Sequence, residues 1–154
     1  AKQFGMNETN KISEQEMKPI VRSKNAILKT DIPILTHARN EFNRPDIVLH
    51  NLETNEIVIV EVGITNAETL VNVEIEKGRK YQLLAEDLRL QHKAKSATVI
   101  PIVLSWDGLV TKHFERHANA IKLQKNLIAY IQKTILKRTP EIVIHSKTIK
   151  KILP

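Results

Sequence analysis

The apolar residues of this chain fall into short β-branched runs and longer helical stripes. The runs 46–50 and 56–62 flank a turn-like stretch, 51–55, and predict a β-hairpin. The run 97–104 has no polar alternation and predicts a buried strand, in which Pro101 indicates an edge position or a bulge. A shorter strand is expected within 26–35.

Two longer segments have helical spacing. Residues 66–91 predict one long helix with an inner stripe of Leu70, Val73, Tyr81, Leu84 and Leu88. Residues 112–137 predict a second, with an inner face of Phe114, Ala118, Ile121, Ile128, Ile131 and Ile135. A first helix is expected from Ser13, interrupted at Pro19, and a short extended segment at 142–144.

The order of these elements indicates the fold class. A helix lies between the strands 57–62 and 97–104, so we expect those two strands to pair in parallel. We therefore expect one α/β domain over residues 1–154, with a central mixed β-sheet flanked by α-helices. Residues 1–5, which precede Met6, are expected to be an expression remnant.

Composition narrows the class of partner. The chain has no cysteine, which excludes a disulfide scaffold and a cysteine zinc site and agrees with an intracellular protein. No apolar run approaches the ~20 residues that span a bilayer, so we expect no membrane partner. The net charge of +7 favours a polyanion such as nucleic acid, although many basic domains bind none.

Two acidic residues stand at matching positions of the predicted hairpin. A turn centred between Glu53 and Thr54 places Asp46 opposite Glu61, and the pairs Ile47–Val60, Val48–Ile59 and Leu49–Val58 behind them. Directly opposed residues have Cβ atoms about 4.5–5.5 Å apart, so the two carboxylates could share a divalent cation. Hard oxygen ligands favour Mg²⁺ or Mn²⁺. The alternative interpretation makes Asp46 a turn residue and Glu61 an ordinary strand end.

If the two carboxylates and their metal belong to a phosphodiester nuclease, a positively charged side chain is also needed near the attacking water. Gly63, two residues after Glu61, cannot supply it. Lys77 and Lys80 are three residues apart on the predicted helix and therefore share a face. From spacing alone, they are interpreted as part of a solvated surface, paired locally with Glu74 and Glu76.

A set of short motifs adds a family resemblance. The motifs are Thr-His-Ala-Arg at 36–39, Arg-Pro-Asp-Ile-Val at 44–48, Ile-Val-Glu-Val at 59–62, Glu-Lys-x-x-Lys-Tyr-x-x-Leu at 76–84 and Val-Ile-Pro-Ile-Val at 99–103. Together they resemble the restriction-like endonuclease domain of site-specific non-LTR retrotransposons, a branch of the PD-(D/E)XK nuclease superfamily. The resemblance covers a little over half of the chain.

The resemblance implies a restriction-endonuclease-like fold and metal-dependent hydrolysis of DNA by water. It implies that Asp46 and Glu61 bind Mg²⁺ or Mn²⁺, and we add the backbone carbonyl of Val62 as a further ligand. In that family the catalytic lysine has moved from the strand to the following helix, which points to Lys80 or Lys77. The expected nucleic-acid contacts are Arg39, Arg44, Lys77, Lys80 and Tyr81.

Two other functions remain open from the sequence. One is a non-catalytic nucleic-acid-binding module on the same fold, and the other is a structure-selective (Holliday-junction) resolvase, which requires a homodimer. We expect either a domain of a reverse-transcriptase polyprotein or a free-standing relative, acting in the nucleus. His113 and His117 are interpreted as a DNA-facing or solvated pair rather than metal ligands.

Overall fold

The computed structural model describes residues 20–36, 41–122 and 127–138, and its centre is a five-stranded sheet. The strands lie in chain order across the sheet. The first four pair antiparallel and the last two pair in parallel, so the predicted α/β class with a mixed sheet is confirmed. The strands are β1 (Ile20–Arg22), β2 (Ala26–Thr30), β3 (Ile47–Asn51), β4 (Glu56–Thr65) and β5 (Ser96–Ser105).

The predicted register of the hairpin is confirmed. Ile47 lies opposite Val60, Val48 opposite Ile59 and Leu49 opposite Val58. The boundaries differ slightly, because β3 begins one residue later than expected and β4 continues three residues further, to Thr65. Asp46 therefore lies just before β3, beside a part of β4 that extends beyond the end of its neighbour.

Four α-helices and a 3-10 turn (Ala67–Thr69) complete the described structure. The helices are α1 (Leu70–Lys80), α2 (Gln82–Gln91), α3 (Phe114–Lys122) and α4 (Leu127–Arg138). The expectation of one helix over 66–91 is wrong, because the chain leaves helical geometry at Tyr81, with φ −110° and ψ 18°. The side-chain amide of Gln82 donates to the Gly78 carbonyl at 2.8 Å, which satisfies one of the carbonyls near this break.

The helices cover both faces of the sheet. Residues of α3 and α4 pack on the face that contains Val60 and Val62, while α2 and Tyr81 pack on the face that contains Ile57 and Ile59. Successive strand residues point to opposite faces, so Glu61 and Gly63 continue the row of Ile57 and Ile59. The second face of the sheet therefore carries an acid and then a glycine beneath α1.

Strand β5 is at an edge of the described sheet, as Pro101 predicts. α3 and α4 account for most of the helix expected over 112–137, and residues 123–126 lie outside the described part. The expected features at Ser13, Pro19 and 142–144 also lie outside it. Within the described residues, none of the helices has the length and apolar character needed to cross a bilayer.

Candidate active site

Each of the two acids accepts a hydrogen bond from the backbone of the opposite segment, Glu61 from the Asp46 amide and Asp46 from the Val62 amide. The Asp46 amide donates to Glu61 Oε2 at 3.1 Å, and the Val62 amide donates to Asp46 Oδ2 at 2.7 Å. This interlocking follows from the hairpin register, because Asp46 continues β3 by one residue and comes to lie beside Glu61. The two carboxyl groups therefore lie side by side at the start of β3.

The surroundings of Glu61 make its negative charge costly. Only 3% of the residue is exposed. Burial raises the pKa of Glu61, and the neighbouring charge of Asp46 raises it further, while Lys77 and the Asp46 amide oppose the shift. Because the net effect is a raised pKa, the cations now present do not fully offset the cost of this charge. A further positive charge beside Glu61 would oppose this shift.

Two lysines of α1 converge on the same carboxylate. Lys77 Nζ lies 3.3 Å from Glu61 Oε1, and Lys80 Nζ lies 3.9 Å from the same oxygen. The interpretation of these lysines as a solvated surface paired with Glu74 and Glu76 is therefore wrong. Their spacing of one helical turn lets both side chains point down onto the sheet.

Gly63 provides the space through which Lys77 reaches Glu61. A Cβ atom at Gly63 would lie 2.8 Å from Lys77 Cε and 2.9 Å from Lys77 Cδ, which is closer than two carbon atoms that are not bonded approach each other. It would also lie 3.3 Å from a methyl group of Val103. The side chain from α1 thus fills the volume that a residue on the strand would need, two positions after Glu61.

Lys80 contacts two aromatic rings in addition to Glu61. Its ammonium lies 5.3 Å from the ring centroid of Phe42 and 5.2 Å from that of Tyr81, within the range of a cation–π contact. The two rings meet edge to face at 6.4 Å. Lys77 and Lys80 therefore reach the carboxylate by different routes.

Tyr81 fixes the break between α1 and α2. Its hydroxyl donates to the Arg44 carbonyl at 2.8 Å, and only 3% of the residue is exposed. The expected nucleic-acid contact through Tyr81 does not agree with this burial, which instead makes Tyr81 a residue that positions α1 against the loop before Asp46. The burial of Tyr81 and Leu84 explains why the apolar stripe continues across the break.

Arg44 lies at the surface beside the carboxylates. Its side chain is 58% exposed and contacts Asp31 at 3.1 Å. Asp31 in turn donates its amide to the Asp46 carbonyl at 3.0 Å and has a positive φ of 48°. Arg44 is thus placed where it could meet a phosphate. Arg39 lies outside the described residues.

Glu74 is a buried acid whose position the sequence interpretation missed. It is 4% exposed, and both carboxylate oxygens accept from the Thr111 hydroxyl, at 2.8 and 2.7 Å. His117 Nδ1 lies 3.8 Å away, and burial lowers the pKa of His117 although Glu74 opposes the shift. The signal was present in the sequence, because Glu74 is four residues after the inward-facing Leu70.

The oxygens near Glu61 suit a hard divalent cation. The Val62 amide points to Asp46, and the carbonyl of a strand residue points to the same side as its amide. No cluster of three or more His, Cys, Asp or Glu side chains that could hold a metal occurs among the described residues, so a cation here would need oxygens beyond the two carboxylates.

Comparison of the chain with protein-family models, with curated proteins and with solved structures gave no match. The interpretation of the site therefore depends on its residues and their geometry.

Proposed function

We propose that this protein is a metal-dependent DNA endonuclease with a PD-(D/E)XK type of fold, in which the lysine comes from a helix. The observation that supports this most strongly is the relation between Gly63 and Lys77. The side chain of Lys77 passes through the volume above Gly63 and brings its ammonium to 3.3 Å from Glu61, which lies beside Asp46. Two acids and a cation are thus brought together at one end of β3.

In this proposal Asp46, Glu61 and the Val62 carbonyl hold Mg²⁺ or Mn²⁺. The raised pKa of the Glu61 carboxyl supports the assignment, because a divalent cation would stabilise a charge that burial and Asp46 make costly. When bound, such a cation makes a water molecule more acidic and offsets charge on the scissile phosphate.

The side chains around the carboxylates have separate roles. Lys77 stabilises the negative charge that develops on the phosphate when water attacks. Lys80, held between Phe42 and Tyr81, contacts an adjoining phosphate oxygen, and Arg44 contacts the strand from the exposed rim. Attack by water with loss of the 3′ oxygen leaves 5′-phosphate and 3′-hydroxyl ends.

Nicking of a supercoiled plasmid in Mn²⁺ tests the proposal. Asp46→Asn keeps an oxygen for the Val62 amide but removes the charge, so we expect nicking to fall by about 100-fold or more. Glu53→Gln, in the exposed turn of the same hairpin, is the control and should nick like the wild type.

Each alternative function gives a different result. If the wild type and Asp46→Asn are equally inactive and both still bind DNA, the proposed endonuclease activity is overturned and a nucleic-acid-binding module is favoured. Preference for four-way junctions over plasmid would favour a dimeric resolvase.

A further inference from the structure

A second group of basic side chains lies on the same face of the sheet as Glu61. Lys29, His50 and His92 line a cavity of about 40 Å³. One water molecule needs roughly 10–15 Å³ of such space, so the cavity has room for a group of a few atoms, about the size of a tetrahedral oxyanion. The remaining wall is apolar and consists of Ile27, Ile34, Val48, Ile57 and Leu88.

Hydrogen bonds define how His50 faces this cavity. The Asn55 side-chain amide donates to the Lys93 carbonyl at 2.8 Å, which leaves the Asn55 oxygen facing His50 Nε2, also at 2.8 Å. His50 therefore carries a hydrogen on Nε2, and Nδ1 is the ring nitrogen that Asn55 does not contact. The rings of His50 and His92 meet edge to face with centroids 5.0 Å apart.

The three basic groups crowd one another without acidic partners. In the part of the chain that the structure describes, none of them is ion-paired with a carboxylate. Burial and Arg22 lower the pKa of Lys29. Burial, His50 and Lys29 lower the pKa of His92. A bound anion would offset the repulsion from Arg22 at Lys29 and the repulsion from His50 and Lys29 at His92.

We propose that this cavity binds a phosphate-type oxyanion between Lys29, His50 and His92, supplied either by free phosphate or by a phosphodiester of nucleic acid. The basic groups come from β2, from β3 and from the residue after α2, and Arg22 of β1 adds positive charge behind Lys29. β4 and the loop after β2 contribute only Ile57 and Ile34. Binding should tighten as the pH falls, because protonated His92 is a charged donor.

The position of Lys29 relates this cavity to the carboxylates. Lys29 is paired with Val48, two residues after Asp46 on the adjoining strand. Neighbouring strands are about 4.8 Å apart and successive residues rise about 3.4 Å, so the backbone of Lys29 and the backbone of Asp46 are roughly 8 Å apart. A nucleic-acid strand lying along the sheet could therefore reach both. This use of the cavity rests on the proposed nuclease function, whereas binding of free phosphate does not.

Histidine resonances of the full chain, titrated with inorganic phosphate in the absence of divalent metal, test the proposal. We expect saturable shifts of the His50 and His92 ring protons and a raised pKa of His92. Lys29→Gln should weaken phosphate binding by about tenfold or more, since a charge-assisted hydrogen bond is lost. The control is Lys24→Gln, in the exposed turn before β2, which should bind like the wild type.

The same titration with a short single-stranded oligonucleotide distinguishes the two sources. Shifts with the oligonucleotide alone would support a phosphodiester, and shifts with inorganic phosphate would support a free oxyanion. The proposal would be overturned if neither ligand shifted the histidine resonances, or if Lys24→Gln and Lys29→Gln weakened phosphate binding equally. No cleavage occurs without metal, so a failed nicking assay and a failed titration are separate results.

Discussion

At the scale of single residues, Gly63 and Lys77 depend on each other. A side chain on the strand at position 63 and the lysine chain from α1 would occupy the same volume, so only one can be present. A lysine could therefore reach Glu61 from either element, provided that the other position is small. Glycine at position 63 means that the strand supplies no lysine there, and it also leaves the space that the Lys77 side chain occupies.

Gly63→Ala tests this dependence. The added Cβ would displace Lys77 Cδ and Cε, which can move at little cost to folding, and the Val103 methyl group 3.3 Å away would have to move by a few tenths of an ångström. We expect a thermal midpoint close to that of the wild type but plasmid nicking reduced by about tenfold or more, because a small misplacement of a catalytic group is costly. Recovery of nicking in Gly63→Lys combined with Lys77→Ala would support the shared volume. Undiminished nicking by Gly63→Ala would contradict it.

The burial of Glu61 predicts how stability depends on pH. Its pKa is raised above the ordinary 4.5, so the folded protein binds this proton more tightly than the unfolded chain. The stabilising effect of that proton is complete below about pH 4.5 and is lost as the pH rises through the raised pKa. Glu61→Gln should therefore be more stable than the wild type at pH 7, with a smaller difference at pH 4.

Urea denaturation of both proteins at the two pH values measures this difference, and comparison with the wild type cancels the titration of other acids. A Glu61→Gln protein that is less stable than the wild type at pH 7 would show that the contacts with Lys77 and Lys80 outweigh the cost of burying the charge.

At the scale of the elements, Gly78 lies in α1 above Pro101 of the edge strand. A Cβ atom there would lie 3.6 Å from Pro101 Cγ, an ordinary van der Waals distance. Gly78→Ala should therefore stabilise the protein by about 1 kcal/mol, the usual difference between these residues inside a helix. Chemical denaturation measures the effect, and nicking should not change. A loss of stability would mean that α1 must lie closer to β5 than an alanine permits.

Local patterns predicted most elements, while contacts between distant residues decided the rest. The register of β3 and β4 follows from two β-branched runs and the turn between them, and the structure confirms it. The break at Tyr81 could not be predicted from periodicity, because its apolar stripe continues into α2. The break coincides with a hydrogen bond to the carbonyl of Arg44, which is 37 residues away in the sequence.

The same distinction applies to the site. The opposition of Asp46 and Glu61 was predictable from the hairpin, since both acids belong to one local unit. The direction of Lys77 and Lys80 was not predictable from their spacing, because it depends on how α1 packs on the sheet. The spacing of Glu74 from Leu70 does indicate an inward position, but its partner Thr111 could not be predicted, since Thr111 belongs to a separate part of the chain.

At the scale of the whole molecule, the candidate site lies at the start of β3, where β4 continues past its neighbour. β4 and β5 remain paired to Thr65 and Ser105, beyond the start of β3. Asp46 occupies the vacated edge, and its carboxylate accepts from the Val62 amide where a strand carbonyl would otherwise do so. The sheet thus provides a rigid base for the acids, and α1 brings the cations from above.

The net charge of +7 makes salt dependence the most direct test of the proposed binding to DNA. Each phosphate contact contributes about 0.9 to the slope of log affinity against log salt. Arg44→Gln should reduce this slope by about that amount, because its exposed pairing with Asp31 competes only weakly with a phosphate.

The control is Arg116→Gln, exposed on α3 over the opposite face of the sheet, which should leave the slope unchanged. Filter binding to a short duplex between 50 and 200 mM salt, without divalent metal, gives both slopes. Equal slopes for wild type and Arg44→Gln would place the bound DNA away from the carboxylates and would weaken the case for cleavage there.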